Sequence, residues 1–463
     1  MRYNDLKALC ANDFKENEDG MKRTIRACAF FLCFAILFVS VGCTKRPATP
    51  PTAEEQPLAS GGETTNPEQA EEEDGVALTD LDFLITKGSK IINRGGEEVI
   101  LRGVNLGGWL LQECWMCPVA GEDGEWGNLD TIEAFSKSGM SAEQIQALFE
   151  TYQENWITEY DLDIIAASNV NCVRVPFWYR NFMTDEAGTW IAEDPNENPG
   201  FQALDRIIRE AGERGLYVIL DLHGCPGGQS MNHCCGTVGR KDLYTDPVCR
   251  ETMKTLWVAI ATRYKDSPVV AAYDLMNEPQ NNGGFESEEH YVSPWDPASW
   301  EETNELYDEM IRAVRAVDEK HIISVEGIWR VTNLPLPSET DWTNMLYQVH
   351  LYDSTASFHS LCAELQEYSE QNAVPIYVGE FSNMDGIHLC ETYGLHWTTW
   401  SYKGGKGEIG DWFWYSASPA PVVPGETTFE EALVLWGEAL RTENGFVSCE
   451  KVISTVEAVT KKA

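Results

Sequence analysis

Residues 269–279 read Val-Val-Ala-Ala-Tyr-Asp-Leu-Met-Asn-Glu-Pro, and this stretch decides the fold class. Its mostly apolar part, 270–276, has the length and composition of a strand that is buried on both faces, and polar residues follow it at once. Such strands are typical of parallel sheets that helices cover on both sides. The stretch therefore predicts an α/β protein.

Seven further stretches repeat the pattern, which gives eight predicted strands: 99–105, 170–176, 217–222, 270–276, 322–326, 346–350, 375–379 and 396–401. Amphipathic segments between them, such as 201–214, 250–264 and 300–317, predict helices. Eight β/α units over roughly 380 residues predict a (β/α)8 TIM barrel, which a short hairpin within 83–101 precedes. An open doubly wound sheet is the alternative, but no glycine-rich dinucleotide-binding motif follows an early strand.

Composition narrows the classes of partner. The chain has 463 residues, with 34 Lys plus Arg against 74 Asp plus Glu, and its net charge is −40. Such a polyanionic surface repels phosphates, so nucleic acid is excluded as a partner. The 16 Trp residues favour a sugar ligand, because the apolar faces of sugars stack on aromatic rings.

The first 76 residues predict targeting rather than chemistry. After Met21 come basic residues, an apolar run over 27–41 and then Gly42-Cys43, which is typical of a bacterial lipoprotein signal with a lipidated Cys43. Residues 1–43 are therefore the predicted signal segment, with its start at Met21. The acidic stretch 44–76 predicts a disordered linker, and 77–463 the barrel domain. We expect an extracellular or cell-surface monomer whose only membrane contact is this anchor.

Polar or aromatic residues follow the predicted strands at the edge where active sites of such barrels lie. They are Asn105 through Trp109, Arg174, His223, Asn277 with Glu278, Glu326, His350 with Tyr352, Glu380, and Trp400. Among them, Glu278 and Glu380 end strands four and seven, which a closed barrel can bring to one mouth. Two facing carboxyl groups are what glycoside hydrolysis needs, one protonated and one ionised.

In this order the residues Arg174, His223, Asn277-Glu278-Pro279, His350, Tyr352, Glu380 and Trp400 resemble glycoside hydrolase family 5. The resemblance covers about residues 80–415. It implies that Glu278 is the acid/base and Glu380 the nucleophile of a retaining double displacement, with no cofactor and no metal. Further features, the stretch 105–109 with Glu113 and the stretch 223–229, resemble the exo-β-1,3-glucanase-like branch.

The resemblance also implies substrate-binding roles. Asn277 would hold a sugar 2-hydroxyl, Glu113 would bind hydroxyls of the non-reducing-end sugar, and Trp400 would stack under the sugar at the cleavage point. Sugar-contacting or network roles are expected for His223 and His350. Arg174 and Tyr352 are also expected at the substrate site, where contact with Glu380 would keep that carboxyl group ionised. The neighbouring negative charge would in turn raise the pKa of Glu278 and keep it protonated. Trp178, Tyr179 and Trp329 either stack sugars at the rim or pack within loops.

The sequence leaves alternatives open for both the substrate and the activity. Cys114 and the segment after Gln229, which reads Ser-Met-Asn-His-Cys-Cys, depart from the branch pattern, so β-1,3-glucan, β-1,4-glucan, mixed-linkage glucan and mannan all remain candidates. A non-catalytic carbohydrate-binding barrel is the alternative to an enzyme.

Ten cysteines lie within the predicted barrel domain. Cys114, Cys117, Cys225, Cys234 and Cys235 lie on the loops after strands one and three, where they can meet. We expect disulfides that staple these loops, with a zinc site that includes His233, and hence a zinc-dependent hydrolase, as the second possibility and free thiols as the third. Cys172 is predicted to be a core residue.

Overall fold

The computed structural model describes residues 81–120, 126–280, 298–328, 330–352, 354–405, 410–415 and 419–461. The predicted signal segment 1–43 with Met21 and Cys43, the predicted linker 44–76 and Trp329 lie outside the described residues. In the part that is described, no helix combines the length and apolar character needed to cross a membrane.

Eight parallel strands close into a barrel, as predicted, and an antiparallel hairpin of β1 (Ile85–Lys87) and β2 (Lys90–Ile92) precedes them. Each barrel strand pairs with the next one in the sequence, and the last pairs with the first. The eight are β3 (Arg102–Asn105), β4 (Cys172–Trp178), β5 (Tyr217–Gly224), β6 (Val270–Asp274), β7 (Ile322–Glu326), β8 (Met345–His350), β9 (Ile376–Glu380) and β10 (His396–Thr399).

Helices cover the barrel. Most connections between consecutive barrel strands contain at least one helix. The three predicted helices are confirmed, with slightly earlier starts, as Pro199–Glu213, Pro247–Tyr264 and Ala298–Arg315. In the first two, the side chains of Asn198 and Asp246 cap the first turn, each followed by a proline. The helices up to the last barrel strand are α1 (Asn128–Lys137), α2 (Ala142–Trp156), α3 (Glu159–Ala167), α4 (Pro199–Glu213), α5 (Pro247–Tyr264), α6 (Ala298–Arg315), α7 (Thr355–Asn372) and α8 (Met384–Tyr393).

The hairpin closes the end of the barrel where the strands begin. Leu84 and Ile91 are buried in one cluster with Leu101 and with the barrel residues Ile219 and Ile322. This apolar cluster fills the interior of the barrel at the end where the strands begin. The polar residues consequently lie at the opposite end, where the strands terminate.

After the barrel the chain adds a small sheet and three helices that the sequence pattern did not predict. The sheet contains β11 (Lys403–Gly405), β12 (Phe413–Tyr415) and β13 (Val447–Ser448), and the helices are α9 (Phe429–Leu435), α10 (Thr442–Gly445) and α11 (Glu450–Thr460). Lys403 is fully buried and donates to the carbonyls of Trp156 (2.7 Å) and Leu440 (2.5 Å). This side chain ties the C-terminal segment to α2.

The expectation of disulfides is wrong in this structure, since none of the ten cysteines of the described residues forms one. Several buried thiols instead donate to main-chain carbonyls: Cys117 to Gly108 (3.8 Å), Cys225 to Leu222 (3.9 Å) and Cys235 to Ser230 (3.6 Å). Cys172 is buried within β4, as predicted.

Candidate active site

One buried arginine gathers residues from three strand ends. Arg174 of β4 donates from Nη1 to Glu380 Oε1 (2.7 Å) and to Asn105 Oδ1 (3.0 Å), and from Nη2 to Asn277 Oδ1 (3.0 Å). Its side chain has no exposed surface. The predicted residues 174, 277 and 380 therefore lie in one hydrogen-bonded group.

Two aspartates complete the surroundings of this guanidinium. Arg174 Nε donates to Asp274 Oδ2 (2.8 Å), and Nη2 lies 3.1 Å from Asp221 Oδ1. Burial alone would lower the pKa of Arg174, but the charges of Asp221, Asp274 and Glu380 hold it well above its usual value. Burial raises the pKa of Asp274 to about 6, against the charge of the arginine. Arg174 is thus a permanent cation within a ring of acids.

Glu380, at the end of β9, contacts donors on both carboxyl oxygens. Oε1 accepts from Arg174, and Oε2 accepts from the hydroxyl of Tyr352 (2.8 Å), which follows β8. A cation and a hydrogen-bond donor both favour the ionised form of a carboxyl group. The contacts therefore suit an ionised Glu380.

Glu278 follows β6 in a different environment. Its backbone φ is +40°, its N–H donates to Glu326 Oε2 (2.7 Å), and its Oε1 lies 3.0 Å from His350 Nδ1. Burial raises the pKa of Glu278 to about 7; the charges of His223 and Arg174 oppose this rise, and the charge of Glu113 adds to it. A raised pKa of Glu278 was expected, but as the result of neighbouring negative charge. Burial of the carboxyl group is instead the largest cause.

His350 lies between the two predicted catalytic carboxyl groups. Its Nδ1 is 3.0 Å from Glu278 Oε1 and 3.5 Å from Glu380 Oε2, so those oxygens are at most 6.5 Å apart, the sum of 3.0 Å and 3.5 Å. Burial lowers the pKa of His350 to about 3, although the charge of Glu380 works in the opposite direction. The imidazole is therefore neutral at ordinary pH.

His223, at the end of β5, is a cation at the same pH. Its Nδ1 lies 2.7 Å from Asp221 Oδ2. Burial would lower its pKa, but the charge and hydrogen bond of Asp221 raise it to about 9. The ring stacks on Trp400, with centroids 5.4 Å apart and planes 16° apart. His223 thereby covers one face of the tryptophan that we expected to stack under a sugar.

Gln229 fixes the main chain behind these residues. Its Nε2 donates to the carbonyls of His223 (2.7 Å) and Asn277 (2.8 Å), and its Oε1 accepts from the N–H of Cys225 (3.1 Å). The side chain is completely buried. One amide therefore joins the ends of β5 and β6.

Glu113 lies on the loop after β3 and meets the loop after β5. Its Oε2 accepts from Trp115 Nε1 (2.8 Å) and lies 3.3 Å from His233 Nε2. Burial would raise the pKa of Glu113, but the hydrogen bond and charge of His233 lower it below the usual value. The first turn of α1, which follows the loop after β3, also contacts the loop after β5, because Leu129 N–H donates to Gly236 O (2.9 Å). Glu113 is therefore held as an anion where the two loops meet.

A family model described as cellulase (glycosyl hydrolase family 5) matches residues 123–420, which is more than half of the chain. The chain belongs to glycosyl hydrolase family 5. The matched range contains Arg174 through Trp400 and leaves Glu113 outside. Of the strand-end residues, only those at the end of the first barrel strand, Asn105 through Trp109, lie outside the family match.

Named relatives agree with this assignment. A β-xylosidase of Phanerodontia chrysosporium is 27% identical over 58% of this chain, which spans 52% of that relative, about half of its length. A glucan 1,3-β-glucosidase of Blumeria graminis is 26% identical over 70% of this chain and 86% of its own length. Among solved structures, a rutinosidase from Aspergillus niger superposes with a TM-score of 0.51 at 17% identity, covering 67% of this chain and 92% of that one, and supports the fold alone.

Two further aromatic residues of this family 5 chain are buried. Trp178 and Tyr179 are each 3% exposed. A Cβ at Gly236 would lie 2.8 Å from Trp178 Nε1, so the loop after β5 packs directly on that ring. Of the two alternatives for these residues, packing within loops is the one observed.

Four buried polar residues of the site received no role from the sequence, although Glu326 was named there as a strand-end residue. Asp221 and Asp274 bind Arg174, Gln348 Nε2 donates to both carboxyl oxygens of Asp274 (3.0 Å each), and Glu326 contacts Glu278. Each lies within or at the end of an otherwise apolar barrel strand. A charged or amide side chain inside a strand buried on both faces was the signal that could have found them.

One group of side chains in the described ranges has the spacing of metal ligands. It comprises Glu278, Glu326 and His350, whose ligand atoms lie within 4.8 Å of one another. Within the same ranges, the expected zinc ligands on the loops after β3 and β5 form no such group. The structure therefore gives the zinc-dependent hydrolase no support.

Proposed function

We propose that this family 5 chain is a retaining β-glycoside hydrolase that cleaves β-glucan by double displacement. The observation that carries the proposal is the asymmetry of the two carboxyl groups around His350. Glu380 contacts a permanent cation and a hydroxyl donor, whereas Glu278 contacts neither and has a pKa near 7. One ionised and one protonated carboxyl group are the two partners that this reaction requires.

In the first step, an oxygen of Glu380 attacks the anomeric carbon while Glu278 gives its proton to the departing glycosidic oxygen. The C–O bond to the leaving sugar breaks, and a covalent glycosyl-enzyme ester forms. In the second step, Glu278 removes a proton from water, which attacks the same carbon and releases Glu380. Glu278 ends protonated and Glu380 ionised, as both began.

Spacing supports retention of configuration. Retaining enzymes hold their carboxyl groups about 5–5.5 Å apart, and inverting enzymes about 6.5–9.5 Å apart, to make room for water. The upper limit of 6.5 Å between Glu278 Oε1 and Glu380 Oε2 reaches only the lower end of the inverting range. Direct attack by Glu380 is the reaction that fits this gap.

The proposed substrate is a β-1,3- or β-1,4-glucan. The relative named glucan 1,3-β-glucosidase, which this chain covers over most of its length, favours the first linkage. Asn277 and Glu113 are the proposed hydroxyl acceptors, and Trp400 is the proposed apolar surface for a sugar ring. Arg174, His223, His350 and Tyr352 complete the proposed binding group.

We further propose a secreted monomer with a lipid anchor at Cys43, preceded by a signal that begins at Met21. The support is the basic, apolar and Gly42-Cys43 pattern of the sequence. Labelled fatty acid should enter the wild-type protein and not Cys43→Ser. A Cys43→Ser protein that is still labelled would contradict the anchor.

The reaction is tested with the full chain on laminarin, cellulose derivatives, lichenan, mannan and xylan, beside Glu278→Ala and Glu380→Ala. We expect reducing sugar from one or more glucans and loss of turnover in both variants. Azide should rescue Glu380→Ala by forming a glycosyl azide of inverted configuration. Binding of the same glucans without turnover by the wild type would instead favour a carbohydrate-binding barrel.

A further inference from the structure

Glu326 is a third carboxyl group beside the catalytic pair, and the proposed mechanism does not use it. It ends β7 and has no exposed surface. Its Oε2 accepts from the N–H of Glu278, but no hydrogen-bond partner for its Oε1 exists among the described residues. A buried carboxyl oxygen without a partner is costly, so this atom calls for a ligand.

The unpartnered oxygen faces two other potential metal ligands. His350 Nδ1 lies 3.4 Å from Glu326 Oε1 and 3.0 Å from Glu278 Oε1. Ligand atoms about 2.0–2.2 Å from a tetrahedral Zn²⁺ lie about 3.3–3.6 Å from one another. These two separations are close to the tetrahedral values, and the ligand atoms of the three residues all lie within 4.8 Å of one another. Side-chain movements that draw the two carboxyl oxygens together would bring all three atoms to one ion.

Charge and ligand type narrow the class of ion. Within the described ranges, no Lys or Arg side chain forms an ion pair with Glu278 or Glu326, and the neutral His350 is the nearest basic side chain to both. A divalent cation would displace any proton from the two carboxyl groups and compensate their negative charge. One imidazole with two carboxylates suits zinc and its neighbours, whereas Ca²⁺ takes six to eight oxygens and Mg²⁺ an octahedron of oxygens.

We propose that Glu278 Oε1, Glu326 Oε1 and His350 Nδ1 bind one divalent transition-metal ion, such as Zn²⁺, at the mouth of the barrel. The ion enters past Glu278, whose side chain is 14% exposed. His350 offers the Nδ1 lone pair when its proton is on Nε2, which has no hydrogen-bond partner among the described residues. The ion then replaces the contact of Nδ1 with Glu278 Oε1. A bound ion occupies the oxygen that would donate the proton, so it inhibits hydrolysis; this consequence alone rests on the proposed function.

Co²⁺ is the probe, because it replaces Zn²⁺ and its absorption distinguishes ligands. The full chain is titrated with Co²⁺ and followed by visible absorption and calorimetry. We expect one tight site with the bands of tetrahedral nitrogen and oxygen ligation, without the near-ultraviolet thiolate band. Zn²⁺ should displace the cobalt. A thiolate band, or no saturable binding, would overturn the proposal.

Two variants locate the ion. Glu326→Gln and Glu278→Gln each remove one ligand and should weaken Co²⁺ binding by at least the roughly 10–100-fold that loss of an outer-shell partner costs. The matched control is Glu210→Gln, since Glu210 is also buried and also has a carboxyl oxygen without a hydrogen-bond partner, but lies on α4. Its affinity should stay unchanged.

Circular dichroism checks that each variant is folded. Because two ligands are replaced in separate variants, the test still works if one of the variants does not fold. Unchanged binding in both would place the ion elsewhere and refute the site. Binding is measured without substrate. A protein that binds Co²⁺ but hydrolyses no glycan would contradict the proposed function alone, and an active protein that binds none would contradict this inference alone.

Discussion

Arg174 Nη1 and Glu380 Oε1 lie 2.7 Å apart where the arginine has no exposed surface and the glutamate side chain is 5% exposed. Water therefore screens this contact little, and the charge of the arginine acts on the carboxylate almost undiminished. The same guanidinium also contacts Asp221, Asp274, Asn105 and Asn277. Stability and reactivity consequently depend on one side chain.

Arg174→Lys should damage both properties, because one ammonium cannot replace five directed N–H donors. Leaving buried carboxylates without their partner costs about 3–5 kcal/mol. We expect a loss of that size in urea unfolding, together with a large loss of kcat. Arg312→Lys is the control, since its pairs with Asp308 and Asp341 are exposed and should cost at most about 1 kcal/mol. Equal unfolding free energies for the two variants would contradict the role of Arg174.

Tyr352→Phe removes the hydroxyl that donates to Glu380 Oε2 at 2.8 Å. Hydrogen bonds to charged groups contribute about 1.5–3 kcal/mol, so kcat should fall by roughly 10–100-fold. Tyr393→Phe, whose hydroxyl contacts His359 outside the site, should leave kcat unchanged. An unchanged kcat in Tyr352→Phe would show that the hydroxyl does not act on the nucleophile.

Activity should fall above about pH 7, because Glu278 must be protonated in the first step and its pKa is about 7. Burial is the main cause of that value, and the charge of Glu113 adds to it. Glu113→Gln should therefore move the alkaline limb to lower pH. Glu150→Gln, on an exposed position of α2, is the control for a change of net charge. An alkaline limb that moved to higher pH or stayed fixed would show that the charge of Glu113 does not act on Glu278.

Lys403 should make stability depend on alkaline pH. Burial lowers its pKa from 10.5 to about 8, against the charges of Asp161 and Glu443. Between these two values the unfolded chain binds more protons than the folded one, so this lysine favours the folded state increasingly as pH rises.

The stability of the wild type relative to Lys403→Met should therefore increase by up to about 3 kcal/mol between pH 7 and pH 10.5. Urea unfolding at several pH values measures the difference. Lys461→Met, at an exposed lysine paired with Glu457, should show no such dependence. A flat difference for Lys403→Met would mean that the buried amine titrates normally.

The barrel and its predicted catalytic pair could be anticipated because they share one signal. Buried parallel strands produce apolar runs, and the residue that ends each run, such as Glu278 or Glu380, must lie at the common rim. Asp274 escaped notice because it lies inside its run, where it was taken as part of an apolar strand. Its burial is tolerated only because Arg174 and Gln348, from distant strands, bind it.

The C-terminal sheet and the contact of Glu113 with His233 could not be predicted in the same way. β11 contains two glycines and β13 has two residues, so neither has a period to detect. The contact of Glu113 with His233 depends on how two irregular loops fold against each other. Loop conformation arises from contacts between parts of the chain distant in sequence, which local patterns do not encode.

Gln229 sets a condition for anyone who wishes to redesign this enzyme. The loop after β5 is a natural segment to exchange for one from a homologue with another sugar preference. Yet the first residues of that loop carry the amide that joins the carbonyls of His223 and Asn277. A graft that begins beyond residue 229 preserves these two hydrogen bonds. A graft that begins earlier removes Gln229, and with it the hydrogen bonds that hold the ends of β5 and β6 together.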